Sequence, residues 1–95
     1  IIDDMVDTSS SLVLAAQMMK EKGARSIRAF ATHPVLSGNA VERINNSPLE
    51  ELVVTDSMPF KNTSPKIKVL SIAKIFANTI YAVTTNQSIS TNFVF

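Results

Sequence analysis

The residues best suited to chemistry stand at the very start of the chain. Two branched apolar residues run into the acidic pair Asp3 and Asp4. A polar block follows before an apolar, Ala- and Met-rich stretch begins, and it consists of Asp7, Thr8, Ser9, Ser10 and Ser11. This order predicts a buried strand, a tight polar loop and the N-terminus of a helix. Because a helix N-terminus exposes unpaired N–H groups and a partial positive charge, the loop is suited to hold an anion such as phosphate.

The acidic pair extends this chemistry. We expect Asp3 and Asp4 at the end of the strand, where their carboxylates can bind sugar hydroxyls or a hydrated Mg²⁺ ion. A site that binds phosphate at one end and a polyol or a metal ion at the other is typical of sugar-phosphate binding. Acidic residues that simply cap the following helix produce the same pattern. The residues alone therefore leave a binding loop and a structural loop both open.

The elements that position these residues follow from hydrophobic spacing. Apolar residues at three- and four-residue spacing predict a helix that reaches about Lys22, with Gly23 as its stop. Residues 26–32 alternate and predict a strand. A strand, a helix and a strand within about thirty residues form a right-handed unit with parallel strands. Ligands bind at the carboxyl ends of such strands, so we expect His33 near the polar loop.

The second half of the chain predicts two more strands and two more helices. Asn39 is expected to begin a short helix that ends at residue 45 or 46, with Glu42 and Arg43 facing solvent. The β-branched run 52–55 predicts a strand covered on both faces, and residues 67–70 predict another. Ser71 is a plausible cap for a last helix over about 72–84. Its apolar stripe, expected to pack inward, is Ile72, Phe76, Ile80 and Val83.

Composition bounds the class of protein. The chain has 95 residues, a net charge of +1 and no cysteine. One domain at most fits this length, and disulfides and thiolate metal sites are excluded. No long basic run or membrane-length apolar run occurs, so we expect neither nucleic acid nor a membrane as a partner. Because the chain begins with Ile1 inside an expected strand, we expect it to be a fragment of a longer protein.

The opening residues resemble the phosphoribosyl-binding loop of the type I phosphoribosyltransferase fold, in which two acidic residues precede D-T-x-G-T. Further segments resemble the ribose-phosphate pyrophosphokinase family, also called phosphoribosyl pyrophosphate synthetases, and stand in that family's order. They are residues 31–38 (ATHPVLSG, similar to T-H-x-x-x-S-G), 40–47 (AVERINNS), 51–56 (ELVVTD), 66–71 (KIKVLS) and 88–93 (SISTNF).

The resemblance implies an α/β fold with a parallel sheet, as part of a three-layer phosphoribosyltransferase-like domain that is incomplete at its N-terminus. Residues 1–95 would form this C-terminal, partial domain, and residues 3–11 its ribose 5-phosphate loop. Asp3 would meet the ribose hydroxyls or their Mg²⁺ ion, and Asp4 would share that role less directly. Residues 7–11 would wrap the 5-phosphate, mainly through backbone N–H groups, with help from the hydroxyls of Thr8 and Ser11.

The reaction that the resemblance implies is ribose-phosphate diphosphokinase activity, in which ATP transfers its β,γ-pyrophosphoryl group to the 1-hydroxyl of ribose 5-phosphate for nucleotide biosynthesis. Such transfers depend on positioning and on charge neutralised by Mg²⁺ and basic residues. The family's ATP pocket and catalytic basic loop lie upstream of Ile1. We therefore expect no catalytic residue in this fragment, and no activity from it alone. The resemblance further implies a cytoplasmic homo-oligomer, with dimers assembling into a hexamer.

One departure from the family lies in the loop. The usual loop has Gly before its final Thr, and often at the position before that as well. In this chain the three positions hold Ser9, Ser10 and Ser11, of which Ser11 keeps the hydroxyl. Glycine allows backbone conformations and close approach that a side chain can forbid. Either the loop tolerates Ser10, or phosphate binding is weakened or lost. We expect Ser10→Gly to raise ribose 5-phosphate affinity, and unchanged affinity would show that the departure is harmless.

Three further interpretations stand beside this one. Ser88, Ser90 and Phe93 resemble the family's S-x-S-x-x-F, which contributes to an allosteric site for phosphate or ADP, although a polar tail with an aromatic anchor has the same pattern. The altered loop also fits a catalytically silent homologue that regulates active subunits by co-assembly. A base-specific phosphoribosyltransferase or a phosphoribosyl pyrophosphate-sensing repressor shares the loop, but the long match argues against both. A triad of Ser9, His33 and Asp7 has nothing in the sequence to fix its geometry.

Overall fold

Short strands alternate with helices along the chain, and the strands assemble into one sheet. The computed structural model describes residues 1–61 and 63–89. Within them the elements are β1 (Ile2–Val6), α1 (Ser10–Glu21), β2 (Arg28–Pro34), α2 (Ala40–Asn45), β3 (Glu51–Thr55), β4 (Ile67–Leu70) and α3 (Ala73–Thr84). The sheet is parallel throughout, in the order β1-β2-β3-β4. The predicted α/β class with a parallel sheet is confirmed.

The hydrophobic core lies on one face of this sheet. Alternate residues of β2 and β3 are buried there, because side chains of a strand point to opposite faces in turn. They pack in one cluster with Ala16 of α1 and Ile44 of α2, both fully buried. Helices α1 and α2 therefore cover the same face of the sheet. Their packing places the β1–α1 turn next to the start of α2.

The opposite face of the sheet is open among the residues that the structure describes. Ile2, Phe30 and Leu70 are 87%, 46% and 59% exposed, respectively. Val53 is half-buried, whereas its neighbours Leu52 and Val54 are almost fully buried. The prediction that this strand is covered on both faces is therefore wrong for the described residues. An unbroken apolar run cannot by itself distinguish one covered face from two.

Helix α3 forms where the sequence predicts it, but its apolar stripe is exposed. Phe76, Ile80 and Val83 are 57%, 63% and 61% exposed, so the expectation that they pack inward is wrong for this chain. The radius of gyration is 15.8 Å, against about 12 Å for a compact domain of this length. The chain measures 50 Å along its longest axis, as expected when its last helix lies outside the core.

A carboxylate joins β3 to the start of α3. Asp56 accepts a hydrogen bond of 2.9 Å from the Ile72 N–H group, and Ser71 accepts one of 3.3 Å from Ala73. The Ile72 N–H group, and then the Ser71 hydroxyl, hold the pKa of Asp56 below its ordinary value. Asp56 therefore acts as an acceptor at this helix N-terminus. The N-cap residue is Ile72, so the predicted cap, Ser71, stands one residue earlier, although its hydroxyl still accepts from Ala73.

Two strand boundaries differ from those predicted. Strand β1 continues through Asp3 and Asp4 to Val6, because Asp3 pairs with Ala31 and Met5 with His33 in the parallel ladder. Strand β2 runs on through His33 to Pro34. No helix among the described residues is long and apolar enough to cross a bilayer.

Candidate functional site

A small cavity lies where β1 passes into α1. Its volume is about 190 Å³, and it opens beside the N-terminus of the helix. Its lining residues are Asp3, Met5, Val6, Asp7, Thr8, Ser9, Ser10, Ser11 and Leu12. The structure therefore brings together every residue predicted for the sugar-phosphate loop except Asp4, which does not line this cavity.

The first turn of α1 is open to an acceptor from outside the helix. Ser9 is the residue before the helix, where serine usually accepts a hydrogen bond from an N–H group of the first turn. Here its side chain makes no such cap bond. The Ser9 hydroxyl instead donates to the Ala40 carbonyl oxygen at 3.1 Å. The first-turn N–H groups of α1 thus lack their usual side-chain partner, which suits an anionic ligand.

Ser9 carries the conformational strain of the turn. Its φ is 67°, in the left-handed region that costs a residue with a Cβ atom about 1–2 kcal/mol. Its side chain is buried, at 4% exposure. The loop position that calls for glycine's freedom is therefore Ser9.

Ser10 has a different role from the one its family position suggests. It is the first residue of α1 and lies outside the positive-φ region. Its hydroxyl accepts hydrogen bonds from Arg43 at 3.0 Å and from Thr8 at 3.4 Å. Ser10 therefore does not forbid the loop conformation. The gain in affinity expected from Ser10→Gly has no physical basis in this structure.

Substitutions at Ser9 separate strain from hydrogen bonding. We expect Ser9→Ala to lower the free energy of unfolding by about 1–2 kcal/mol, because it removes the buried hydrogen bond to the Ala40 carbonyl oxygen and keeps the left-handed strain. Ser9→Gly loses the same bond but relieves the strain, so it should cost about 1 kcal/mol less than Ser9→Ala. Urea unfolding of both variants beside the unaltered chain measures the difference. A glycine variant less stable than the alanine variant would contradict this account.

The two acidic residues of β1 are adjacent but differ in placement. Asp3 accepts a hydrogen bond from the Asp4 N–H group, and Asp4 accepts one from Met5, each at 2.8 Å. The neighbouring Asp3 side chain, and then the Met5 N–H group, lower the pKa of Asp4. Both carboxylates are exposed. They are therefore available to a cation or to sugar hydroxyls.

The carboxylate set fits one kind of metal ion. Among residues 1–61 and 63–89, no three His, Cys, Asp or Glu side chains lie close enough together to hold a metal. Mg²⁺ is usually held by one or two carboxylates, with waters and substrate phosphates filling the rest. Asp3 therefore suits a Mg²⁺ ion that arrives with a phosphorylated substrate. Asp4 is its neighbour in the strand and points to the opposite face, so the two carboxylates do not converge on one ion.

Three residues outside the loop hold it in place. Ser37 donates to the Asp7 carboxylate, and Ala40 accepts from Ser9. Arg43 donates to the Thr8 carbonyl oxygen and to Ser10. Arg43 is exposed, as the sequence predicts, but its bonds to the loop were not predicted. Ser37 precedes α2, whereas Ala40 and Arg43 lie one turn apart within it. No pattern in the sequence indicates that these residues contact the loop.

His33 belongs to a separate network. Its Nδ1 atom lies 2.8 Å from the Ser57 hydroxyl, which donates to the Thr32 carbonyl oxygen at 3.2 Å. The Thr55 hydroxyl donates to the same Thr32 oxygen at 2.7 Å. Because His33 bonds Ser57, the structure does not assemble the Ser9, His33 and Asp7 triad. The histidine joins the carboxyl ends of β2 and β3 beside the cavity.

Comparison with known proteins identifies what this geometry belongs to. The family model described as a phosphoribosyl synthetase-associated domain matches residues 1–94. The chain belongs to the phosphoribosyl synthetase-associated domain family. Members of the ribose-phosphate pyrophosphokinases are similar to it along nearly its whole length. The chain is 49% identical over 94 residues to the enzyme of Campylobacter jejuni and 47% identical over 97 residues to that of Xanthomonas campestris, covering 99% of this chain in each case.

A solved structure agrees with this family membership. The phosphoribosylpyrophosphate synthetase of Mycobacterium smegmatis superposes with a TM-score of 0.86 at 39% identity, over 90% of this chain. The chain spans about 30% of the length of the curated relatives and 29% of that solved chain. The resemblance to ribose-phosphate pyrophosphokinases is thereby confirmed, and placement at their C-terminus stays a prediction. Of the tail residues, Ser90 and Phe93 lie outside the described part, so the allosteric hypothesis also stays a prediction.

Proposed function

We propose that this domain binds ribose 5-phosphate for a ribose-phosphate diphosphokinase, which transfers the pyrophosphoryl group of ATP to the sugar's 1-hydroxyl. The observation that carries the proposal is the cavity at the β1–α1 turn, which has a volume of about 190 Å³. Asp3 and the first turn of α1 both line it. That turn lacks a side-chain cap. A phosphorylated pentose is complementary to both ends of the cavity, because its hydroxyls can donate to Asp3 and its phosphate can accept from the N–H groups of α1.

The proposed binding mode divides the ligand between the two ends. The 5-phosphate accepts hydrogen bonds from N–H groups of residues 8–11, and the hydroxyls of Thr8 and Ser11 add donors. Asp3 accepts hydrogen bonds from ribose hydroxyls or holds their Mg²⁺ ion, with Asp4 in a less direct role. When bound, Mg²⁺ supplies charge neutralisation for the phosphates. Asp7 borders the phosphate end, where its bond from Ser37 restrains it.

The rest of the reaction requires more protein than these residues. ATP and the basic residues that stabilise its transferred group are proposed to bind outside residues 1–95, so the domain alone should turn over no substrate. We further propose that the sheet belongs to a three-layer phosphoribosyltransferase-like domain. The exposed Phe30 and Leu70 support this, because an apolar sheet face normally packs against another layer. A cytoplasmic homohexamer built from dimers remains part of the same proposal.

A titration tests the site directly. Ribose 5-phosphate with MgCl₂ is added to the ¹⁵N-labelled chain while amide resonances are followed by NMR. We expect saturable shifts at residues 8–12 and weaker binding without Mg²⁺. Ribose alone and inorganic phosphate alone are the controls, and each should bind more weakly than the combined ligand. Absence of saturable shifts, or equal shifts with inorganic phosphate, would contradict a ribose 5-phosphate site.

A second candidate is a catalytically silent homologue that co-assembles with active subunits. The observation that favours it is Ser9, a strained residue at the left-handed position of the loop. A side chain there disfavours the loop conformation that would bind phosphate, as expected where binding is no longer needed. The same titration discriminates the two, because the silent homologue should not bind ribose 5-phosphate.

A further inference from the structure

Arg43 reaches from α2 into the backbone of the polar loop. Its Nη1 atom donates to the Thr8 carbonyl oxygen at 3.0 Å and to the Ser10 hydroxyl at 3.0 Å. These two acceptors flank Ser9, the residue with φ of 67°. One guanidinium nitrogen thus spans the most strained point of the turn.

The hydrogen bond from Arg43 to the Thr8 carbonyl oxygen sets the direction of the Ser9 N–H group, which belongs to the same peptide. The C=O and N–H groups of a trans peptide point in opposite directions, and the structure contains no cis bond among the described residues. A Thr8 oxygen drawn toward Arg43 therefore turns the Ser9 N–H group away from α2. The cavity is lined by residues of β1, the loop and α1, and none of these lining residues belongs to α2.

The second bond depends on the serine that departs from the family's loop. Glycine at position 10 has no hydroxyl, so it would leave Arg43 with the Thr8 oxygen alone. With Ser10 present, the Thr8 carbonyl oxygen and the Ser10 hydroxyl both accept hydrogen bonds from Nη1 of Arg43. The serine thus gives Arg43 a second hydrogen-bond acceptor. Ser10→Gly should therefore lower the affinity for ribose 5-phosphate, opposite to the gain expected from the sequence.

We infer that Arg43 is a positioning residue for the phosphate-binding loop, which it holds with the Ser9 N–H group facing the ligand. This inference rests on the proposed function. Arg43 acts through the loop backbone and need not touch the phosphate. Because the loop is held before the ligand arrives, binding avoids the cost of ordering it.

Arg43→Gln tests the inference in the ribose 5-phosphate titration. We expect the dissociation constant to rise about tenfold, the effect of losing charge-assisted hydrogen bonds. Arg43→Lys keeps a cation that can reach the Thr8 oxygen, so it should recover part of the loss. Ser10→Ala should weaken binding in the unaltered chain but add little in the Arg43→Gln background, because both changes break the same bond.

The control is Arg25→Gln. Arg25 is also exposed, and it precedes β2 at the opposite end of the sheet. The Arg25→Gln variant should leave the dissociation constant for ribose 5-phosphate unchanged. A purely structural role for Arg43 would lower the urea midpoint and the affinity together, whereas positioning lowers the affinity at an unchanged midpoint. If Arg43→Gln unfolds the chain, Arg43→Lys and Ser10→Ala carry the test.

The outcomes separate the two proposals. An unaltered chain that binds no ribose 5-phosphate overturns the proposed function and this inference with it. An unaltered chain that binds, beside an Arg43→Gln variant within twofold of it, overturns the positioning role alone. Equal losses in Arg43→Gln and Arg25→Gln would also overturn it, because a general charge effect would then explain both.

Discussion

The Leu52→Ala variant should lose about 2–5 kcal/mol of unfolding free energy, the range for a buried leucine that leaves a cavity. Leu52 is fully buried on β3, a central strand of the sheet. It lies in the cluster that joins the sheet to α1 and α2. The free energy of unfolding of small domains is about 5–15 kcal/mol in total, and one face of this sheet is open among the described residues. The variant should therefore be largely unfolded near physiological temperature.

Leu70→Ala is the matched control for this prediction. Leu70 ends β4, the neighbouring strand, and is 59% exposed. The same atoms are removed from a side chain that contacts far less protein, so the loss should stay below about 1 kcal/mol. Urea unfolding followed by circular dichroism measures both. Similar losses in the two variants would contradict the difference in burial between the two faces of the sheet.

The order and type of the elements were predictable because local signals agreed. Gly23 has a φ of 96° and follows α1, as a helix stop should. Asn39 and Asn46 bound α2 at the predicted positions. Parallel pairing then followed from the right-handed connection between strands, which depends on the alternation of elements and not on any single residue.

The errors arose where tertiary context overrides local preference. Acidic residues are depleted in strands, so the positions of Asp3 and Asp4 predicted the end of β1. The ladder to β2 carries the strand past them, because an exposed edge tolerates charge. In α3 the spacing predicts a helix correctly, but a spacing cannot say what covers the apolar side.

The loop residues were predictable as a group, while their supports were not. The types and order of residues 3–11 are enough to indicate an anion site, because both are local properties of the sequence. Arg43 is distant in sequence from Thr8, and its bond depends on how the 36–43 segment folds back over the turn. Backbone bonds from Leu36 to Val6 and from Ser37 to Asp7 create that arrangement. Such long-range contacts have no local signature.

Asp3→Asn should weaken binding of ribose 5-phosphate with Mg²⁺ by about thirtyfold, equivalent to roughly 2 kcal/mol. Asn keeps the size of Asp3 but lacks the charge that attracts a cation. The variant should therefore lose most of the gain in affinity that Mg²⁺ gives the unaltered chain, while inorganic phosphate binding stays the same or becomes slightly tighter. Titrations with and without MgCl₂ measure both effects.

Asp4→Asn is the internal control, because it removes the same charge one residue away. Asp3 lines the cavity and Asp4 does not, so Asp4→Asn should cost much less than Asp3→Asn and keep most of the Mg²⁺ dependence. Equal losses would mean that net charge at this edge attracts the cation without a defined ligand geometry. A larger loss for Asp4→Asn would place the sugar on the opposite face of β1, and the division of the ligand between Asp3 and the first turn of α1 would then be wrong.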